Sequence, residues 1–152
     1  MEELKTFFIA MSPVVELRGA IPIALEIYHL PLWSAYFWSV LGNSIPLLLI
    51  AGIGEKVVYF FSLRWKWFRL LSLAVFEHAR KNHETMVSRF GKRAAVLLLT
   101  ATPIPFIGGW TGAIAAVVFG LTFREAFPLL IGGVMIAGII VSILTVGIST
   151  FL

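Results

Sequence analysis

Glu16 and Arg18 stand two residues apart in Pro13-Val14-Val15-Glu16-Leu17-Arg18-Gly19-Ala20-Ile21-Pro22, inside an otherwise apolar stretch. Ionisable groups within such stretches are costly, and by default they point to function. Arg18 keeps its charge and offers a planar fork of donors suited to phosphate or carboxylate. Glu16 can exchange a proton, because burial of a carboxyl favours its neutral form. Half-helix N-termini and free N–H groups beside them would add anion-binding capacity. The pattern predicts an anion site at Arg18 and Gly19 with Glu16 as the proton carrier. The alternative, that the two charges only neutralise each other and stiffen the chain, stays open here.

A second stretch, Pro103-Ile104-Pro105-Phe106-Ile107-Gly108-Gly109-Trp110-Thr111-Gly112, carries no charge. Its glycines permit close backbone approach, and its prolines leave carbonyls without helical partners. Gly109, Trp110 and Thr111 are expected to form the wall opposite Arg18. Pro103, Pro105, Gly108 and Gly112 would shape that loop, as Pro13 and Pro22 shape the first. Asn43, in Gly42-Asn43-Ser44-Ile45-Pro46, could line the same cavity, or it could serve ordinary interhelical hydrogen bonding.

Other chemistries find little support. There are no cysteines, and His29, His78 and His83 lack a zinc-like spacing with carboxylates, so neither a metal nor another cofactor is expected. No nucleophile–base pair is evident, which argues against an enzyme. The N-terminus, Met1-Glu2-Glu3-Leu4-Lys5, does not resemble a signal peptide.

The elements that must hold these residues are read from hydropathy. The 152 residues are 59% hydrophobic and 13% charged, with mean hydropathy +0.95. A soluble domain of this size cannot hide that much apolar surface. Leu32 to Ile53 runs 22 residues without a charge, and Ala126 to Leu152 runs 27. Each can cross about 30 Å of hydrocarbon. Phe7–Val15 and Ala94–Thr102 are half that length. Each then breaks and is followed by a second short arm, Ala20–Leu25 or Ala113–Phe119. This reads as two re-entrant helical hairpins, because irregular backbone at membrane depth is tolerated only against protein or a water-filled cavity.

Between the halves, Arg64 to Arg93 carries eight Lys/Arg against Glu77 and Glu84, with Phe68, Leu71, Val75, Ala79, Met86 and Phe90 at near-helical spacing. This predicts an amphipathic segment on the membrane surface, an anchor on anionic lipid, with no part for nucleic acid. Spanning with it would bury Arg64, Lys66 and Arg69, at about 2.5–3.5 kcal/mol each.

At an offset of 90, Pro13 falls on Pro103, Gly19 on Gly109, Phe37 on Phe127 and Gly42 on Gly132. The expected fold is an all-α integral membrane protein of one domain, residues 1–152. It comprises repeat one (about 6–56), the surface segment (about 57–93) and repeat two (about 94–152). Counting crossings makes the repeats inverted. The cation asymmetry places the central segment in the cytoplasm and both termini outside.

Glu16-Leu17-Arg18-Gly19-Ala20-Ile21-Pro22, Gly42-Asn43 with Pro46, and Pro103-Ile104-Pro105 with Trp110-Thr111-Gly112 resemble the small multidrug export protein family. That family is in turn similar to the DedA superfamily of re-entrant-loop membrane proteins. The resemblance implies proton-dependent movement of polyprenyl-phosphate or phospholipid head groups. The chain departs from the DedA pattern in lacking an arginine at its second break. Together these features predict a multi-pass transporter or flippase of the cytoplasmic membrane, proton-coupled, for an anionic or lipid-phosphate substrate, and dimeric by default. Export of small amphipathic compounds and a non-transporting scaffold are the alternatives.

Overall fold

The computed structural model describes residues 1–64, 89–104 and 108–151. These form six α-helices: α1 (Glu2–Met11), α2 (Glu16–Pro22), α3 (Leu32–Arg64), α4 (Arg89–Ala101), α5 (Gly109–Val118) and α6 (Phe123–Phe151). A π-helical turn, Ile23–Ile27, continues α2. No strand occurs among the described residues.

The breaks have local causes. α1 stops at Ser12, whose ψ of 133° is extended, as a residue before proline prefers. α4 stops one residue before Thr102, which likewise precedes a proline, Pro103. Pro22 lies inside α2 and cannot donate to the Arg18 carbonyl, and the helix widens into the π turn straight after it. α5 is capped at Gly108, whose N–H donates to Thr111 Oγ1 at 2.7 Å. It ends at Gly120 (φ +67°), with Leu121 N–H donating to the Ala116 carbonyl in a Schellman motif. α6 opens on Thr122, which is tied to Glu125 Oε2 through both its N–H and its hydroxyl.

α3 and α6 hold apolar spans of 23 and 28 residues, long enough to cross a membrane. They run antiparallel. Gly52 faces the Phe123 ring near one end, and Gly138 faces Tyr36 near the other. α1 packs along α3, and α4 along α6, while α5 crosses onto α3 and α2 onto α6. The packed interior combines Leu17, Ile21, Leu47, Val96, Leu130 and Val134 with many alanines. Only 39% of each span's apolar window is buried, and Phe8, Trp33, Leu98 and Ile143 face outward. Lipid-facing helices have no hydrophobic drive to associate, so they rely on small residues and close contact.

Several sequence expectations shift. The first irregular stretch, expected over 13–22, narrows to Ser12–Val15. Glu16, Arg18, Gly19 and Pro22 are helical. In the second stretch Gly109, Trp110, Thr111 and Gly112 are likewise helical. α3 continues unbroken to Arg64, because no glycine or proline after Gly54 stops it, and α4 begins at Arg89. Both ends of the expected surface segment (57–93) therefore belong to flanking helices. Its middle, 65–88, lies outside the described residues, as does Pro105.

Candidate functional site

The two breaks in the chain face each other. Glu16 opens α2 in the left-handed region (φ +51°), a conformation that costs a non-glycine residue roughly 1–3 kcal/mol. Its backbone N–H donates to the Ser12 carbonyl at 3.0 Å, which closes the turn. That turn brings Glu16 Oε2 to 3.1 Å from Arg18 Nη1. The contact is an ion pair and not an aligned hydrogen bond, since Oε2 has no hydrogen-bond partner. Both side chains are enclosed, at 7% and 13% exposure.

The second half completes the cluster. Arg18 Nη2 donates to the carbonyl of Thr102, which α4 leaves free by ending at Ala101. The Trp110 backbone N–H, in the first turn of α5, donates to Glu16 Oε1 at 3.3 Å. An unpaired N–H at a helix N-terminus attracts negative charge, so a carboxylate is well placed there. Gly108 gives Arg18 its room, because a Cβ at residue 108 would meet the guanidinium. Gly109 does the same for α3, where a Cβ would lie 2.8 Å from Leu47 and 3.2 Å from Asn43 Nδ2.

Asn43 is fully buried, and neither Oδ1 nor Nδ2 has a hydrogen-bond partner. Arg18 Nε and Trp110 Nε1 are buried and unpartnered as well. An unmade hydrogen bond on a buried polar group costs about 1–3 kcal/mol. Donors in this state are suited to a polar ligand.

Glu16, Arg18, Asn43, Gly108, Gly109 and Trp110 are thus brought together. Thr111 is not free. Its hydroxyl accepts from Gly108 N and donates to Gly108 O at 2.9 Å, which commits it to the helix cap. Gly112 sits against Thr100 and belongs to the α4–α5 packing. Gly19 meets Val15, and Pro13 is exposed in the Ser12–Val15 turn. Thr102, Ser12 and Leu47 were missed as individuals. No single residue marked the Thr102 carbonyl in the sequence, since a proline frees the carbonyl four residues back, which for Pro103 and Pro105 is Leu99 and Ala101. No group of three or more metal-ligating side chains occurs among the described residues.

Two further contacts lie away from this cluster. Lys5 Nζ, at the start of α1, lies 5.6 Å from the Tyr28 ring that follows the π turn. Arg93, near the start of α4, pairs with Glu125 in the first turn of α6.

No curated protein and no solved structure matches this chain. Residues 16–140 match the family model described as "Putative small multi-drug export protein". That stretch begins at Glu16, contains every residue of the polar cluster from Glu16 to Trp110, and takes in the first span and most of the second. The chain, a membrane protein with two apolar spans, belongs to the small multi-drug export protein family.

Proposed function

We propose that this chain is a secondary transporter whose substrate passes through the Glu16–Arg18 cluster, between two re-entrant hairpins. One observation carries the reading. A permanently charged arginine and a carboxylate are enclosed where the two breaks meet, and Arg18 Nε, the Asn43 amide and Trp110 Nε1 are buried without partners. Such an arrangement has little structural use in lipid, where polar groups at depth are conserved for function.

Several relationships support inverted repeats. α1 and α4 end 90 positions apart, at Met11 and Ala101, and α3 and α6 begin 91 apart, at Leu32 and Phe123. Gly42 touches Ala10 as Gly133 touches Thr100, and the two spans run antiparallel. Lys5 over Tyr28 and Arg93 on Glu125 bring the two ends of each arm pair together, which favours hairpins that return to their own side. Inverted repeats with broken helices meeting at mid-membrane are a recurring transporter plan. The reading extends to kinship with the DedA superfamily, to a homodimer, and to a multi-pass location in the cytoplasmic membrane, with both termini outside because the Lys/Arg excess lies in the centre of the chain.

The chemistry then follows. With Glu16 ionised, Arg18 is held by Glu16 and the Thr102 carbonyl, and the cluster is closed. A proton on Glu16 cancels its charge and releases Nη1. The freed guanidinium, with Asn43 and Trp110 Nε1, can hold an anion such as a lipid phosphate or an organic acid. Loss of the proton restores the internal pair and expels the anion. Proton and anion therefore travel together. No bond is made or broken in the cargo, so the reading is not enzymatic.

Export of small amphipathic compounds is the second reading, favoured by the family description. A buried arginine sits badly with cationic cargo, which limits this reading to neutral or anionic compounds. The test is binding. Phosphate-bearing amphiphiles should raise the unfolding temperature of the purified protein, and neutral analogues should not. Arg18→Gln should abolish the shift. Equal shifts by neutral analogues would favour the second reading, and no shift from either would favour a scaffold.

A further inference from the structure

The turn that joins α1 to α2, Ser12–Val15, is open to its surroundings. Pro13 is exposed, and Val14 is 76% exposed. Its depth follows from α3. A Cβ at Gly42 would meet the Phe7 carbonyl and the Ala10 side chain, and the Phe7 and Trp38 rings stand 6.4 Å apart. α1 therefore runs beside the first half of α3, in the same direction. At 1.5 Å per residue, Gly42 lies about 15 Å from one end of the Leu32–Gly54 span and about 18 Å from the other. The turn follows directly on Ala10 and Met11, so it sits near the middle of that span. α2 and the π turn then lead back, until Tyr28 reaches Lys5.

The backbone of this turn is not closed on itself. The Ser12 carbonyl accepts from Glu16 N–H at 3.0 Å, and the Val15 carbonyl from Gly19 N–H at 3.1 Å. Between them, the Pro13 and Val14 carbonyls accept no hydrogen bond from the described residues. Hydrocarbon offers such groups no partner, and irregular backbone does not face lipid at this depth. Whatever covers the turn must supply donors. A second copy docked across a two-fold axis would bring the same apolar Pro13 and Val14 and the same free acceptors. Water supplies donors to both carbonyls.

We propose that Ser12–Val15 is the floor of a water-filled vestibule that enters from the side on which α3 ends. Both arms of the hairpin lie beside the first half of α3, so the turn faces the second half. The vestibule stops within two residues of Glu16, and it gives protons and a polar cargo an aqueous route to the cluster. This rests on the re-entrant form of the first hairpin, and it adds the side of entry to the transport reading.

The test places single cysteines in the full chain, in membranes, and times their reaction with a charged, membrane-impermeant methanethiosulfonate. The thiolate is the reacting form, and an apolar setting suppresses it. Val14→Cys should react about a hundredfold faster than Leu41→Cys and Ile45→Cys, which are 39% exposed at the same depth on α3. It should react from the side that labels Lys56→Cys, just past the α3 span, and not from the side that labels Leu4→Cys. The readout needs neither cargo nor gradient, so it stands even if the transport reading fails. A Val14→Cys rate no higher than those of Leu41→Cys and Ile45→Cys would overturn the vestibule. Reaction from the Leu4 side, or rapid disulfide linkage of Val14→Cys between two copies, would do the same. Labelling of Leu4→Cys and Lys56→Cys from one side would show that the hairpin crosses the membrane, and the vestibule would fall with it.

Discussion

The guanidinium of Arg18 occupies the space that a side chain at residue 108 would need. A Cβ built on Gly108 lies within 2.6 Å of Arg18 Cζ, and its nearest contacts are all guanidinium atoms. Arg18 comes from the first half of the chain and Gly108 from the second, so this contact joins the halves at their polar centre.

Gly108→Ala should therefore force Arg18 off the Thr102 carbonyl, and overpacking of this kind costs about 1–3 kcal/mol. With Arg18→Ala already present, the same change should be nearly neutral, because the clashing atoms are gone. A double-mutant cycle on detergent-solubilised protein, read as unfolding midpoints, measures the coupling. Additive effects would mean that the two residues do not touch.

The packing of α1 on α3 makes a second prediction. A Cβ at Gly42 would run into the backbone carbonyl of Phe7, which cannot yield as a side chain can. At Gly52 a Cβ would lie 3.6 Å from the Phe123 ring, an ordinary contact. Gly42→Ala should destabilise by about 1–3 kcal/mol. Gly52→Ala should be neutral or stabilise by up to about 1 kcal/mol, since a helical glycine gives way to a better helix former. Paired unfolding curves in one detergent decide this.

Much of this was legible in the sequence, and particular residues explain why. Charge-free runs revealed α3 and α6, since length and hydropathy are enough for a span. Pro13 and Pro103 marked the breaks, because a proline biases its predecessor away from helix. The gathering of Glu16, Arg18 and Gly108–Trp110 was legible because polar groups and glycines in lipid need a reason. The extent of the breaks was not. Sequence gave no sign that Glu16 would adopt a left-handed backbone or that α2 would begin there, as that depends on the Ser12 carbonyl and the approach of α5. The cap that Thr111 makes with Gly108 was not legible for a related reason, since a hydroxyl near a helix start is as apt to cap as to bind.

Topology supplies a third prediction. Single cysteines replacing Leu4, which is 53% exposed in α1, and Ser88, in the basic central segment, should label on opposite sides of the membrane. An impermeant maleimide should reach Leu4→Cys in intact cells and Ser88→Cys only after permeabilisation, in keeping with the excess of Lys/Arg in the centre. Labelling of Ser88→Cys from outside would reverse the orientation.

The Arg93–Glu125 pair should contribute little by itself. Its side chains are 43% and 27% exposed, and such pairs are worth roughly 0–1 kcal/mol. Glu125 also ties down Thr122, so Glu125→Gln should loosen the start of α6 and lower the unfolding midpoint slightly while leaving transport intact. A large loss of transport at unchanged stability would give this pair a part in the mechanism.

Proton-gradient-driven flux in proteoliposomes tests the central claim most directly. The cargo is a phosphate-bearing amphiphile, followed with and without a pH gradient, and variant stability is measured in parallel because an unpaired buried charge can unfold a protein. Arg18→Lys keeps the charge but loses the planar fork, so affinity should fall about tenfold to a hundredfold, the worth of a charged hydrogen bond. Glu16→Gln mimics the protonated acid, so cargo should still bind while the pH gradient no longer drives flux. Wild-type, gradient-driven transport by both variants would contradict the account.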